Sequence, residues 1–406
     1  METGAAGKRR KKSMQYASRR VAQIPPYVFA EMNRKRDQLI RDGIDVIDLG
    51  IGDPDLPTPR PIVDKLVEEL QDPANLKYPS FIGCSEFRTA VADFYLRTYN
   101  VELDPDAEVL ALIGSKEGIA HLIPALVDPG DVVLMPDPGY PVYRTATEIG
   151  GGEPYGMPLT ADNRFEPRFE DIPADIARRA KLMFLNYPGN PTSATVEPGS
   201  FERAVSYART HGIAIAHDAA YGMVTFGDYK APSILQAQGA RELAIEFGSL
   251  SKTYNMTGWR IGYAVGNRQL IKSLSVVKSN TDTGAFTAIQ KAAAFALRSD
   301  TGDIAVRNRI YRERIDVVLE GLAAIGVKVD PPSGSFFVWA PVPEGYTSAS
   351  FVAHVMEQTG VMLTPGTAFG PAGEGYFRIS VSVPSERLAE AMNRIRQKLK
   401  IDGGQP

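Results

Sequence analysis

The chain has 406 residues, of which 44% are hydrophobic, 23% charged and 9% aromatic, with a formal net charge of −3. That length suffices for two or three domains whose cores need neither disulfide nor metal, and the charge balance gives no reason to expect nucleic acid as a partner. A single cysteine, Cys84, excludes an intramolecular disulfide and a cysteine-built zinc site, and the four histidines show no metal-ligand spacing. No metal is therefore expected, and the default location is a reducing cytoplasm.

In chain order, the run Lys8-Arg9-Arg10-Lys11-Lys12 reads as part of a disordered basic tail over residues 1–16. No apolar stretch follows it as in a signal peptide, and no run approaches the ~20 apolar residues of a membrane helix. Short β-branched runs then occupy 109–113, 132–135, 182–186, 213–217, 244–248 and 261–265. Between several of them lie amphipathic stretches, such as 201–211, with apolar residues at helical spacing. Strand then helix, repeated, predicts an α/β fold with a mostly parallel sheet sandwiched by helices. The apolar Leu182-Met183-Phe184-Leu185 fits a sheet buried on both faces. Beyond it, a helix at 307–325, a strand at 335–339, a helix at 348–359, a strand at 376–383 and a helix at 386–400 predict a small α+β domain. The expected division is a large domain over 57–300 and a small one built from 17–56 and 301–406.

Chemistry concentrates where predicted strands end. Lys252 follows the buried run 244–248 within Ser249-Leu250-Ser251-Lys252-Thr253. An isolated buried ammonium is costly, and use of the amine in a Schiff base resolves the cost. Ser249, Ser251 and Arg260 supply donors suited to a phosphate. A surface loop with an incidental lysine is the competing explanation. Asp218 ends the run 213–217, where open α/β sheets bind ligands, although a helix N-cap would use the same residue. Asn190 sits in the rigid turn Asn186-Tyr187-Pro188-Gly189-Asn190-Pro191, which could equally be purely structural. Ser115 opens a helix after Gly114, as a phosphate cradle or a capping box. Tyr140 follows the run 132–135, placed to stack on a flat ring or to pack on the core.

Taken together these motifs identify the chain, from about Ala17 to Lys398, as resembling the class I/II aminotransferases of pyridoxal-phosphate-dependent fold type I. They occur in the family's order: Tyr78…Gly83, Gly114-Ser115-Lys116-Glu117-Gly118, Tyr140, Asn190-Pro191-Thr192, Asp218-Ala219-Ala220-Tyr221, Ser249-Leu250-Ser251-Lys252 and Arg378. The resemblance implies pyridoxal 5′-phosphate as cofactor, held as a Schiff base by the catalytic Lys252. Asp218 then meets the pyridine nitrogen, Tyr221 and Asn190 the phenolic oxygen, and Tyr140 the ring face. Ser115, Lys116, Ser249, Ser251 and Arg260 complete the expected cofactor set. Arg378 and Gly52 are expected to receive the substrate α-carboxylate, with Asn190 beside them. Tyr78 is expected to reach across a dimer interface to the neighbouring copy's phosphate, which implies a homodimer with shared active sites.

Within that family the chain is most similar to the LL-diaminopimelate aminotransferases. The residues responsible include Asp45-Val46-Ile47-Asp48-Leu49-Gly50-Ile51-Gly52-Asp53-Pro54-Asp55 and Thr253-Tyr254-Asn255-Met256-Thr257-Gly258-Trp259. The implied reaction is ping-pong amino transfer between LL-2,6-diaminopimelate and 2-oxoglutarate, with Lys116 and Asn280 holding the distal end of the substrate. One position departs: plant-like members carry a glutamate where this chain has Phe81, whose ring face offers a cationic group only a weaker contact. Aspartate and alanine aminotransferases share the framework and stay open as alternatives, as do a carbon–sulfur lyase and a non-catalytic cofactor-binding regulator. A dinucleotide-binding fold is excluded because Gly50-Ile51-Gly52 runs into Asp53-Pro54 rather than a helix.

Overall fold

The alternating apolar runs form a seven-stranded sheet in the computed structural model, which describes residues 16–26, 28–299 and 302–401. The basic run at 8–12 lies outside the described residues. The strands are β1 (Val109–Leu112), β2 (Val132–Asp137), β3 (Glu153–Pro158), β4 (Ala180–Leu185), β5 (Ala214–Asp218), β6 (Ala244–Ser249) and β7 (Gly262–Gly266). They lie in the order β1-β7-β6-β5-β4-β2-β3. All neighbours run parallel except around β7, which is antiparallel to both β1 and β6. The sheet is thus mostly parallel, and helices cover both faces. Leu182 and Phe184 point to the core shared with Ile119 and Leu122, whereas Met183 and Leu185 face Phe87, Tyr95 and Phe201. A side chain of this size contributes roughly 1.5–3 kcal/mol when fully buried, so a strand apolar on both faces is held from both sides.

Strand ends differ by one or two residues from the sequence expectation. The run 213–217 becomes β5, whose last residue is Asp218, and 244–248 extends to Ser249. The edge strand β3 had no counterpart in the sequence reading. Its sequence Glu153-Pro154-Tyr155-Gly156-Met157-Pro158 carries two prolines and a glycine, which an edge tolerates because one side needs no donors.

A second sheet, in the order β9-β10-β8, joins β8 (Phe337–Pro341), β9 (Thr364–Pro365) and β10 (Tyr376–Ser380) in antiparallel pairs. The strand expected from 335 begins at Phe337 because Ser335 holds a left-handed φ of 68°. The helix expected at 307–325 spans Gly302–Ala323, and the C-terminal one Ser385–Lys398. The second core, around Phe336, Phe351 and Ile379, also takes in Tyr221, Val224 and Phe226 from just beyond β5 and Leu49 from near the N-terminus. Residues just beyond β5 of the large sheet are therefore packed under the small one.

The segment from Leu49 to Asp55 crosses between the sheets. Ser380 N donates to Leu49 O at 2.7 Å. Arg314, buried in the helix Gly302–Ala323, clamps Asp55 bidentately at 2.7 and 2.9 Å and also donates to Val381 O at 3.1 Å. A buried two-pronged pair of this kind fixes backbone as well as charge. Among the described residues, no helix is long and apolar enough to cross a membrane.

Candidate active site

Strand ends bring the polar residues to one place. Lys252 lies in the one-turn helix Leu250–Thr253 that follows β6 directly. Its Nζ donates to Gly52 O at 2.9 Å and stands 5.6 Å from the centre of the Phe336 ring. The side chain is partly open to a cleft, yet burial of the amine is the main cause that brings its pKa down from 10.5 to about 8. Asp53 opposes that shift, while Arg260 and Arg378 add to it. A loop with an incidental surface lysine does not describe this position.

Asp218 forms the floor. Tyr143 Oη donates to its Oδ2 at 2.8 Å, Ala220 N to its Oδ1 at 3.3 Å, and Asn186 Nδ2 to its carbonyl at 2.7 Å. No helix begins at Asp218, so the N-cap alternative fails. Burial pushes its carboxyl up, and the Tyr143 hydroxyl and His217 partly offset this. Tyr221 is buried edge-on to Phe337, with ring centres 5.5 Å apart, and burial pushes its hydroxyl pKa up.

One wall is made of donors. The helix Ser115–Leu126 starts at Ser115, and a helix N-terminus presents backbone N–H groups suited to an anion. Gly114 precedes it with φ 84°, and a Cβ there would collide with the Arg260 guanidinium. Glycine thus meets two demands, the left-handed turn and the close approach of the arginine. No side chain caps this helix, which removes the capping-box alternative; Glu117 instead accepts from Ile113 N at 2.9 Å. Arg260 NH1 donates to Thr257 O at 2.8 Å and reaches Ser251 Oγ at 3.4 Å. Ser249 ends β6 on the same side.

The opposite wall carries Arg378 on β10, only 1% exposed. Its guanidinium lies 4.2 Å from the Phe337 ring centre and 4.6 Å from that of Phe369. NH1 donates to Asn190 Oδ1 at 2.8 Å, and NH2 to Gly50 O. A guanidinium stacked between rings with two directed bonds is oriented before any ligand arrives. This is not a surface ion pair.

Gly52, Ser115, Lys116, Tyr140, Asn190, Asp218, Tyr221, Ser249, Ser251, Lys252, Arg260 and Arg378 all line one cleft of about 420 Å³. Two of the residues singled out from sequence lie elsewhere in the chain. Tyr78 is 91% exposed, and Asn280 is exposed with its amide donating to Val276 O of its own helix at 2.8 Å. A larger crevice of about 900 Å³ opens beside Tyr229 and Asn308 but holds none of these residues, so chemistry rather than size selects the smaller cleft.

Sequence reasoning passed over Tyr143, Asn186, Phe337, Phe369 and Asp53. Tyr143 stands three residues after Tyr140, in the first turn of the helix Val142–Gly150, and its place beside that residue could have flagged it. No spacing in the chain signals that ligand-capable atoms of Glu117, His121 and Asp282 lie within 4.8 Å of one another. There Lys278 Nζ bonds Asp282 at 2.8 Å and Glu117 at 3.3 Å, placing an ammonium between the two acids.

The cleft fits a phosphorylated pyridine. N–H, hydroxyl and guanidinium donors, the buried carboxylate of Asp218 and a lysine of lowered pKa line the same cleft. Gly262, which a Cβ would bring within 2.9 Å of Ser115 N, leaves the helix terminus uncovered.

Comparison with known proteins gives consistent matches. Residues 44–395 match the family model for aminotransferase class I and II. An LL-diaminopimelate aminotransferase of Moorella thermoacetica is 52% identical over 382 residues, covering 94% of this chain and 98% of that protein. Its namesake from Aquifex aeolicus is 51% identical over 379 residues, covering 93% and 98%. Among solved structures, substrate-bound BacF from Bacillus subtilis superposes with a TM-score of 0.91 at 37% identity, covering 95% of this chain and 98% of that one. A Thermus thermophilus aspartate aminotransferase double mutant gives 0.88 at 29% identity, covering 95% and 100%.

Proposed function

Because the chain belongs to the class I and II aminotransferases, which depend on pyridoxal phosphate, we propose that it moves an amino group between LL-2,6-diaminopimelate and 2-oxoglutarate. Two relatives of about half identity over nearly the whole chain carry that activity in their names. The single observation that carries the chemistry is that Lys252, Asp218 and the ring-stacked Arg378 line one cleft together with the donors Ser115, Ser249, Ser251 and Arg260.

When bound, the cofactor supplies an electron sink for the charge left as the substrate Cα loses its proton. The chain's own residues do the remainder. Asp218 would hold the ring nitrogen in its protonated form, with Tyr143 and Ala220 N fixing the carboxylate. Ser115, Ser249, Ser251 and Arg260 would hold the phosphate, Lys116 would border it, and the partner's Tyr78 would close it from a second copy. Tyr140 would cover the ring, and Tyr221 and Asn190 would meet the phenolic oxygen. Arg378 would take the substrate α-carboxylate in its fork, beside the Gly52 backbone. Lys252 would hold the cofactor covalently and, once released, would move the Cα proton, its burial favouring the neutral amine that this requires. A homodimer in the cytoplasm is part of this proposal.

The test is to follow the absorption of the holoenzyme while adding LL-diaminopimelate, glutamate, aspartate or alanine separately. Conversion to the aminated cofactor with LL-diaminopimelate and glutamate is expected. Conversion by aspartate or alanine but not LL-diaminopimelate would keep the reaction and overturn the substrate.

A further inference from the structure

Phe81, 49% exposed, is not among the residues that line the cleft, and it carries no charge. The proposed donor nevertheless has a second ammonium, which needs a partner when it leaves water. Two carboxylates line the cleft, Asp218 and Asp53. Asp218 is committed to Tyr143, Ala220 N and, by its carbonyl, Asn186.

Asp53 is differently placed. It is exposed in the cleft, and among the described residues its carboxylate makes no hydrogen bond or ion pair. Its backbone is held firmly: Gly52 O accepts from Lys252 Nζ at 2.9 Å, Pro54 follows, and Asp55 is clamped by Arg314 at 2.7 Å. A Cβ on Gly52 would come within 2.6 Å of the Phe337 ring, so the segment is pressed against the wall that carries Arg378. After burial, Asp53 is the strongest influence on Lys252, so the two groups share one field. Covalent use of Lys252 by the cofactor takes its separate ammonium out of that field. An acid remains on a rigid segment, facing the space that a substrate enters.

We infer that Asp53 is a specificity-determining residue, which receives the distal ammonium of a diamino acid and disfavours donors whose far end is only a carboxylate. The inference rests on the substrate reading above and assigns the recognition to this chain's own acid. Lys116, on the same cleft, remains the cationic group for a distal carboxylate, so 2-oxoglutarate is still accommodated.

The experiment compares wild-type holoenzyme with Asp53→Asn and Asp53→Glu. Donor preference is measured as the ratio of kcat/KM for LL-diaminopimelate to that for glutamate. Calorimetry measures the affinity of pimelate, which has the same carbon skeleton and two carboxylates but no amine. Loss of one charged hydrogen bond should lower the preference of Asp53→Asn roughly tenfold, with Asp53→Glu retaining much of it. Pimelate should bind Asp53→Asn more tightly than wild type, the opposite sign. Equal losses with both donors, or weaker pimelate binding in Asp53→Asn, would overturn the inference while leaving the substrate reading intact. A wild type that does not react with LL-diaminopimelate at all would overturn both.

Discussion

Lys252 gives the sharpest quantitative expectation. Burial holds its pKa at about 8 rather than 10.5. That difference is worth about 3 kcal/mol against the ammonium form. At pH 7 about one copy in ten then has a neutral amine, against about one in three thousand for an ordinary lysine. Only the neutral amine attacks the cofactor aldehyde. The rate at which apoenzyme captures pyridoxal phosphate, followed by stopped-flow absorbance, should climb with pH and level off just above pH 8. A rate still climbing tenfold per pH unit between 9 and 10 would refute the reasoning. Stability carries the same signature. The unfolded chain keeps this proton up to about 10.5 and the folded one only to about 8. Folding releases the proton between those values, so the apoprotein should gain stability as pH rises through that window. Lys252→Ala should abolish both trends.

Three further outcomes follow from the geometry. Asp218→Asn keeps a partner for Tyr143 but loses the charge at the floor, and should lower kcat by about 10²–10⁴-fold while the protein still captures cofactor; unchanged kcat would remove Asp218 from the chemistry. Arg378→Lys replaces a stacked fork by a point charge, and should raise KM for every donor by about tenfold or more, with a smaller change in kcat. Donor-selective effects would argue against a shared α-carboxylate contact. Gly52→Ala puts a methyl within 2.6 Å of the Phe337 ring and should destabilise the fold by about 1–3 kcal/mol, read as a lower melting temperature. An unchanged melting temperature would mean that the 49–55 segment is not pressed against that ring.

How much of this was legible in the sequence depended on where a residue's partners lie. Asp218, Ser249 and Ser115 stand at strand ends or helix starts, and local patterning alone locates such boundaries. Lys252 was legible because an amine directly after a buried strand is costly and needs a reason. Phe369 and Asp53 were not, because no local pattern marks them: Phe369 comes over the Arg378 guanidinium only once the chain turns back into β10, and Asp53 acquires meaning only when Lys252 and Arg314, far along the chain, fix the residues on either side of it. The edge strand β3 escaped because its prolines and glycine resemble a loop until its parallel pairing with β2 is seen. Tyr78 and Asn280 mark the converse limit. Their motif positions were clear, yet a single chain leaves both outside its own cleft.

Behind Asp218, on the other side of the sheet, the fold spends stability on a polar cluster that has its own consequence. Glu246 in β6 is wholly buried and accepts from Tyr95 Oη at 2.6 Å, Ser233 Oγ at 2.8 Å and Ile234 N at 2.9 Å, with His217 Nδ1 at 2.8 Å. Burial pushes its carboxyl up, but His217, Tyr95 and Ile234 together outweigh it and hold the group below the ordinary value of 4.5. A carboxylate favoured in the folded state contributes stability above that unfolded value and loses it as pH falls through the lowered one. Glu246→Gln keeps the shape, removes the charge and turns an acceptor into a donor facing donors. Breaking one side of a buried pair costs about 3–5 kcal/mol, so the variant should unfold at markedly lower denaturant and lose this part of the acid dependence. His217 directly precedes Asp218 and lies on the opposite face, so the folded fraction of the variant should still capture pyridoxal phosphate. A variant that unfolds like wild type would show that the cluster is not an anchor for β5 and β6. One that folds normally but fails to bind cofactor would show that its charge reaches through the sheet to Asp218.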